Sequence, residues 1–275
     1  MTITGQDHPF DAATRLTGGN GHYQGHTAAG YANMVGPFGG IIAAVMLRAP
    51  LQHPDRLGDP LALSVNFAAP LADGGFEIDA LPVRTNRSTQ HWNIGLTQKG
   101  LTMATASAVF ANRRTTWSST EMHYPVLPAA YDGVRISGEH FPAWVRHYDI
   151  RVLQGGIPPS LTIEHEEAFA RSASLQWICD EPRRPLDFLS LAAICDTFFP
   201  RIYIRRNQFV PAGTVSLSIY FHVRAGELSV VNDTPVLGSA RANRFHDNYF
   251  DQTAEVWSQD RELLATSSQI VYFKE

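Results

Sequence analysis

What most constrains this chain is a pattern written twice: a short apolar stretch, then a series of alternating segments. The first stretch is Phe38-Gly-Gly-Ile-Ile-Ala-Ala-Val-Met-Leu-Arg-Ala49. The second is Pro185-Leu-Asp-Phe-Leu-Ser-Leu-Ala-Ala-Ile-Cys-Asp-Thr-Phe-Phe199. Ala, Leu and Met favour helix, and the prolines that follow, Pro50 and Pro200, predict where each helix stops. Both stretches are apolar on nearly every side, so each must be enclosed by other structure. Strand-like segments follow at 61–69, 75–84, 91–98 and 101–112, and again at 213–223, 236–244, 253–258 and 263–273. They alternate with period two and are rich in Thr, Val, Tyr and Phe.

The segments also match in detail. Ser64-Val-Asn-Phe67 parallels Ser218-Ile-Tyr-Phe221, and Ala104-Thr-Ala-Ser-Ala-Val-Phe110 parallels Ala265-Thr-Ser-Ser-Gln-Ile-Val271. A long repeat occurring twice indicates a duplicated unit rather than a solenoid. The expectation is an α+β chain: one unit over 1–112, a linker rich in Thr, Ser and Pro over 113–138, and a second unit over 139–275. Extra strands are expected at 147–153 and 172–178. Each unit reads as an antiparallel sheet wrapped around its apolar helix.

Composition removes several classes. The formal charge is -4, from 22 basic and 26 acidic side chains, which argues against a nucleic-acid partner. Cys179 and Cys195 are the two cysteines, too few for a disulfide framework, so a reducing compartment is expected. The longest apolar run falls well short of the ~20 residues of a membrane span. Residues 1–10 lack a secretory pattern, and a soluble, cytoplasmic protein is the expectation. His22 and His26 have metal-like spacing but no third ligand nearby, so no metal is expected. The stretch 246–251 fits a loose His-x4-Asp pattern and reads as a turn between strands. There is no G-x-S-x-G elbow, Walker A loop or G-x-G-x-x-G turn.

Certain residues carry a resemblance. They are Gly36-Pro-Phe-Gly-Gly40, Arg84-Thr-Asn-Arg-Ser88, Leu191-Ala-Ala-Ile-Cys-Asp196, Thr214-Val-Ser-Leu-Ser-Ile-Tyr-Phe-His222 and Leu264-Ala-Thr-Ser-Ser-Gln269. In order and spacing the chain resembles the double-hotdog acyl-CoA thioesterases of the acyl-CoA thioesterase II type. The resemblance implies a double hotdog fold and hydrolysis of acyl-CoA without a metal, coenzyme A being part of the substrate. It implies self-association into a homo-oligomer. It also implies a catalytic Asp, Thr and Gln that orient the attacking water, which fall on Asp196, Thr214 and Gln269.

The residues can be weighed beside that resemblance. A carboxylate among Ile194, Cys195, Phe198 and Phe199 is costly to bury unless partnered. Burial would raise its pKa toward that of a useful base. The alternative is a helix-end Asp bonded to Arg201 or Arg205. The matching place in the first unit holds Met46 or Leu47, and Gln269 is matched by Ala108, so one active site per chain is expected. Phe38, Gly39 and Gly40 open the first helix, where backbone N–H groups can polarise a carbonyl; close helix packing is the alternative. Arg84 and Arg87 are candidate anchors for coenzyme A phosphates, or an ordinary solvated turn. Lys99 and Lys274 are the only lysines, a preference for Arg in the same direction. The rival functions are a non-catalytic acyl-CoA or lipid carrier and a hotdog enoyl-CoA hydratase or dehydratase.

Overall fold

The computed structural model describes residues 7–128, 132–137, 140–156 and 171–274. The proposed boundary at 138/139 lies outside the described residues. In the first half, helix α2 (Gly39–Leu51) is followed by strands β3 (Asp59–Phe67), β4 (Gly75–Thr85), β5 (Thr89–Gln98) and β6 (Leu101–Ala111). In the second, helices α3 (Phe188–Ile194) and α4 (Arg201–Arg206) precede β10 (Ala212–Phe221), β11 (Val236–Arg241), β13 (Tyr249–Trp257) and β14 (Leu263–Phe273). Within each half the four strands lie in the same spatial order: first, fourth, third, second. The identical wiring is the repeat made physical, and the fold is a double hotdog.

The halves join into one antiparallel sheet through β3 and β10. Ser64 and Ser218 are direct partners there, and their hydroxyls lie 2.9 Å apart. Equivalent residues meet each other only on a local two-fold axis, so Ser64 and Ser218 mark that axis. Both halves also skip register at an equivalent place, between Pro60 and Ala62 on β3 and between Thr214 and Ser216 on β10. Beyond the repeat, β2 (His22–His26) flanks β4, whereas β9 (Ser174–Asp180) and β8 (Tyr148–Gln154) flank β11. Residues 112–128 contain no helix or strand. The stretch 246–251 forms the turn of a hairpin, with Asp247 and Asn248 at φ 48° and 66°.

Two helix expectations need correction. The first helix does not stop before Pro50 but runs on to Leu51. Proline forfeits one late intrahelical bond, and burial of Ala49 and Pro50 holds the turn regardless. The second helix is not continuous over 185–199. It starts where the Asp187 side chain caps the Ser190 N–H at 2.8 Å, in the usual N-cap manner. It ends at Ile194, because its last carbonyls turn to other donors. The Ile194 carbonyl accepts the Thr197 N–H at 3.0 Å and the Thr197 hydroxyl at 2.8 Å. The Cys195 carbonyl accepts from Ser267 and Gln269 on β14. Asp196 therefore sits on a tight turn rather than within a helix.

Candidate active site

Helices α2 and α3 pack against each other with almost no intervening side chain. A Cβ on Gly40 would lie 2.6 Å from the carbonyl oxygen of Ala193, and one on Gly39 would lie 2.6 Å from Oδ2 of Asp196. The absence of side chains at these two positions brings the carboxylate of the second half to the helix start of the first. Phe38, the residue before the helix, is buried and stacks on Trp144 with ring centres 4.3 Å apart.

Asp196, Thr214 and Gln269 form one chain of hydrogen bonds. The Gln269 amide donates to Oδ1 of Asp196 at 2.8 Å, and the Thr214 hydroxyl donates to Oε1 of Gln269 at 3.2 Å. Gln269 is buried, and Thr214 and Asp196 keep partial exposure. Thr214 stands at the register skip of β10, and such bulges re-aim side chains. Burial pushes the Asp196 carboxyl up to about 7, although the Gln269 amide and the Gly40 backbone N–H pull it down. A carboxyl poised there is half ionised near neutral pH and suited to accept a proton from water.

Counting from the axis residues shows what the other half lacks. Ser64 with Ser107 corresponds to Ser218 with Ser268, so Ala108 corresponds to Gln269 and Pro60 to Thr214. Met46 and Leu47, the places matched to Asp196, are wholly buried. The polar constellation exists in one copy only. Ser267, which the sequence reading missed, joins it by donating to the Cys195 carbonyl at 3.4 Å. Its counterpart is Ala106, so the same polar-for-Ala comparison that singles out Gln269 would have found it.

Asp196 is not paired with Arg201, which donates to five other oxygen atoms. The Gly40 backbone N–H, at the start of α2, lowers the Asp196 pKa against the effect of burial. Arg84 and Arg87 do not join the cluster. They are exposed at the tip of the β4–β5 hairpin, where Arg84 bonds Asn86. Register aligns that tip with Ala62, whereas Phe67, at the other end of β3, lies beside Gly39. His22 and His26 also lie elsewhere: His22 bonds Asp79 at 2.6 Å and His26 bonds the Thr27 carbonyl at 2.8 Å.

Comparison with known proteins agrees with this architecture. Residues 28–111 match the family model of the acyl-CoA thioesterase N-terminal domain, and residues 110–273 match that of the C-terminal domain. A conserved hot dog fold protein of unknown function from Alicyclobacillus acidocaldarius is 46% identical, with a TM-score of 0.91 over 98% of this chain and 99% of that one. A putative thioesterase II from Thermobifida fusca is 18% identical, with a TM-score of 0.81 over 97% of each chain. An acyl-CoA thioesterase II from Mycobacterium marinum is 16% identical, with a TM-score of 0.72 over 96% of each. These last two likenesses speak to the fold. No curated protein matches the chain by sequence. With its two halves matched in order by the two domain models, the chain belongs to the acyl-CoA thioesterase family.

Proposed function

We propose that this protein hydrolyses acyl-CoA thioesters at a single site per chain, built from Asp196, Thr214 and Gln269. The carrying observation is the hydrogen-bonded chain from Thr214 through Gln269 to a carboxylate whose pKa is raised to about 7. In this reading Asp196 accepts a proton as water attacks the thioester carbonyl. The C–O bond forms, the tetrahedral intermediate collapses, and the C–S bond breaks. The proton held by Asp196 passes to the departing thiolate, releasing free acid and coenzyme A. Thr214 and Gln269 fix the carboxylate and the water.

The oxyanion needs a donor. Around the start of α2, Phe38 donates its N–H to the Tyr31 carbonyl and Ile41 to the Phe38 carbonyl. In this reading the Gly39 N–H, at the start of α2, takes the acyl oxygen, where the positive end of the helix favours developing negative charge. The two units, 1–112 and 139–275 with 113–138 between them, belong to the same proposal, one supplying the helix start and the other the carboxylate.

Release of free thiol from acyl-CoA substrates of several chain lengths tests the reading. Binding without turnover at every chain length would favour the non-catalytic carrier. A pH prediction accompanies it. The base works only when ionised, so kcat/KM should rise through an acid limb with a midpoint near pH 7 and level off above it. A limb near pH 4, the range of an ordinary aspartate, would contradict the role given to Asp196.

A further inference from the structure

Arg201 is wholly buried, and no carboxylate among the described residues pairs with it. Its guanidinium instead donates to the carbonyls of Phe199, Ser172 and Ala240, the Ser174 hydroxyl and, at 2.9 Å, Oε1 of Gln252. Burial lowers its pKa to about 9. A buried cation bound only by neutral oxygens is an expensive way to stabilise a fold. Its geometry, however, is specific. It ties the turn that follows Asp196 to strands β9, β11 and β13, and it fixes one end of Gln252.

Gln252 lies directly opposite Gln269 in the β13–β14 ladder. Partners in register share a face, with Cβ atoms roughly 5 Å apart, and both side chains are buried. Only the amide oxygen can accept from a guanidinium, so Arg201 also sets which way the Gln252 amide faces. The two-fold comparison singles out the same residue. Trp92 is opposite Ala108 in the first half, so Trp92 is the counterpart of Gln252. An aromatic ring, its Nε1 donating to Gln90 at 3.1 Å, stands where the half carrying the carboxylate has an amide. The reverse case, Gln90 against Phe250, has a local explanation, because Gln90 bonds the backbone of Asp55 and Leu57.

We propose that Gln252, clamped by Arg201, is a positioning residue for the hydrolytic cluster, holding the Gln269 side chain where it serves Asp196. The inference rests on the proposed function for its kinetic readout and on geometry for its second readout. A Gln269 free to swing or to flip its amide would present a carbonyl to the carboxylate instead of an N–H. Thr214 and the Cys195 carbonyl set which way the Gln269 amide faces, and Gln252, in register beside it, occupies the space into which the side chain would otherwise swing.

Two variants test this. Gln252→Glu gives Arg201 a carboxylate while removing the amide, so its Tm should equal or exceed that of the wild type. Gln252→Met keeps length and removes polarity. In both, kcat for acyl-CoA on the pH plateau should fall at least about tenfold with KM within about threefold, the signature of a displaced cluster. Carbon-13 NMR titration of the Asp196 carboxyl provides a readout independent of turnover: it should titrate higher in Gln252→Met, because the Gln269 amide no longer holds the carboxylate. A folded variant of either kind with wild-type plateau kcat and, for Gln252→Met, an unmoved titration overturns the proposal. If the wild type hydrolyses no acyl-CoA, the functional reading falls, and the titration alone still decides the role of Gln252.

Discussion

Asp196→Asn should lower kcat/KM for acyl-CoA hydrolysis by at least about a hundredfold and, at pH 8, yield a more heat-stable protein. Both effects have one origin. Asn keeps the size of the side chain and can still accept the Gln269 amide proton, but it cannot take a proton from water. The stability gain follows from linkage. Burial pushes the folded carboxyl up to about 7, well above the range of a free aspartate, so around neutral pH the native state holds a proton that the unfolded chain has released. Stability contributed by this group is present below pH 4, is lost as pH rises toward 7, and stays lost above it. The cost to the wild type on that plateau is on the order of 2–4 kcal/mol. At roughly 2–4 °C per kcal/mol for a chain of this size, the Asn variant should melt several degrees higher at pH 8, the difference closing near pH 4. Calorimetry at both pH values, with thiol-release kinetics, checks the pair. An inactive variant without the pH-dependent gain would mean that Asp196 is not buried with a raised pKa. A fully active one would remove it from the mechanism.

The helices, the eight repeated strands and their duplication were legible in the sequence because each depends on local pattern. A helix buried on all sides must be apolar on all sides, and a strand buried on one face must alternate. Asp196, Thr214 and Gln269 were legible as positions through the resemblance, helped by the contrast between Gln269 and Ala108. What joins them was not. The turn that carries Asp196 depends on Ser267 and Gln269, seventy-odd residues away, drawing the Cys195 carbonyl out of the helix. Thr214 reaches Gln269 from a bulged position, and a bulge adds one residue without a distinctive composition. Where Arg84 and Arg87 stand relative to the cluster was not legible for a related reason. Their chemistry suits a phosphate, but which end of the sheet a hairpin tip occupies is set by register across β5 and β6. Gln252 had no local signal at all, because its significance appears only once β13 is laid beside β14 and Arg201 is seen beneath them.

The second large effect concerns Gly39 and Gly40, adjacent residues that should fail in different ways. At Gly40 an added methyl group would lie 2.6 Å from the backbone oxygen of Ala193 and 2.5 Å from the Phe38 ring. A main-chain oxygen in a packed helix pair cannot step aside. Gly40→Ala must therefore part α2 from α3, at a cost of about 1–3 kcal/mol or more, seen as a marked drop in Tm. At Gly39 the methyl group would instead meet Oδ2 of Asp196 at 2.6 Å, with the Phe67 ring at an ordinary 3.5 Å. A carboxylate at the end of a side chain can rotate away, and Ala is a better helix former than Gly. Gly39→Ala should keep Tm within about 2 °C, yet lose activity at least tenfold as Asp196 leaves the Gln269 amide, a displacement of about 1 Å sufficing. Melting curves and thiol-release rates on the two variants separate the outcomes. If Gly39→Ala kept full activity, the contact between the helix start and Asp196 would be packing alone. The two glycines would then be a single structural feature, rather than one holding the helices together and the other leaving room for the base.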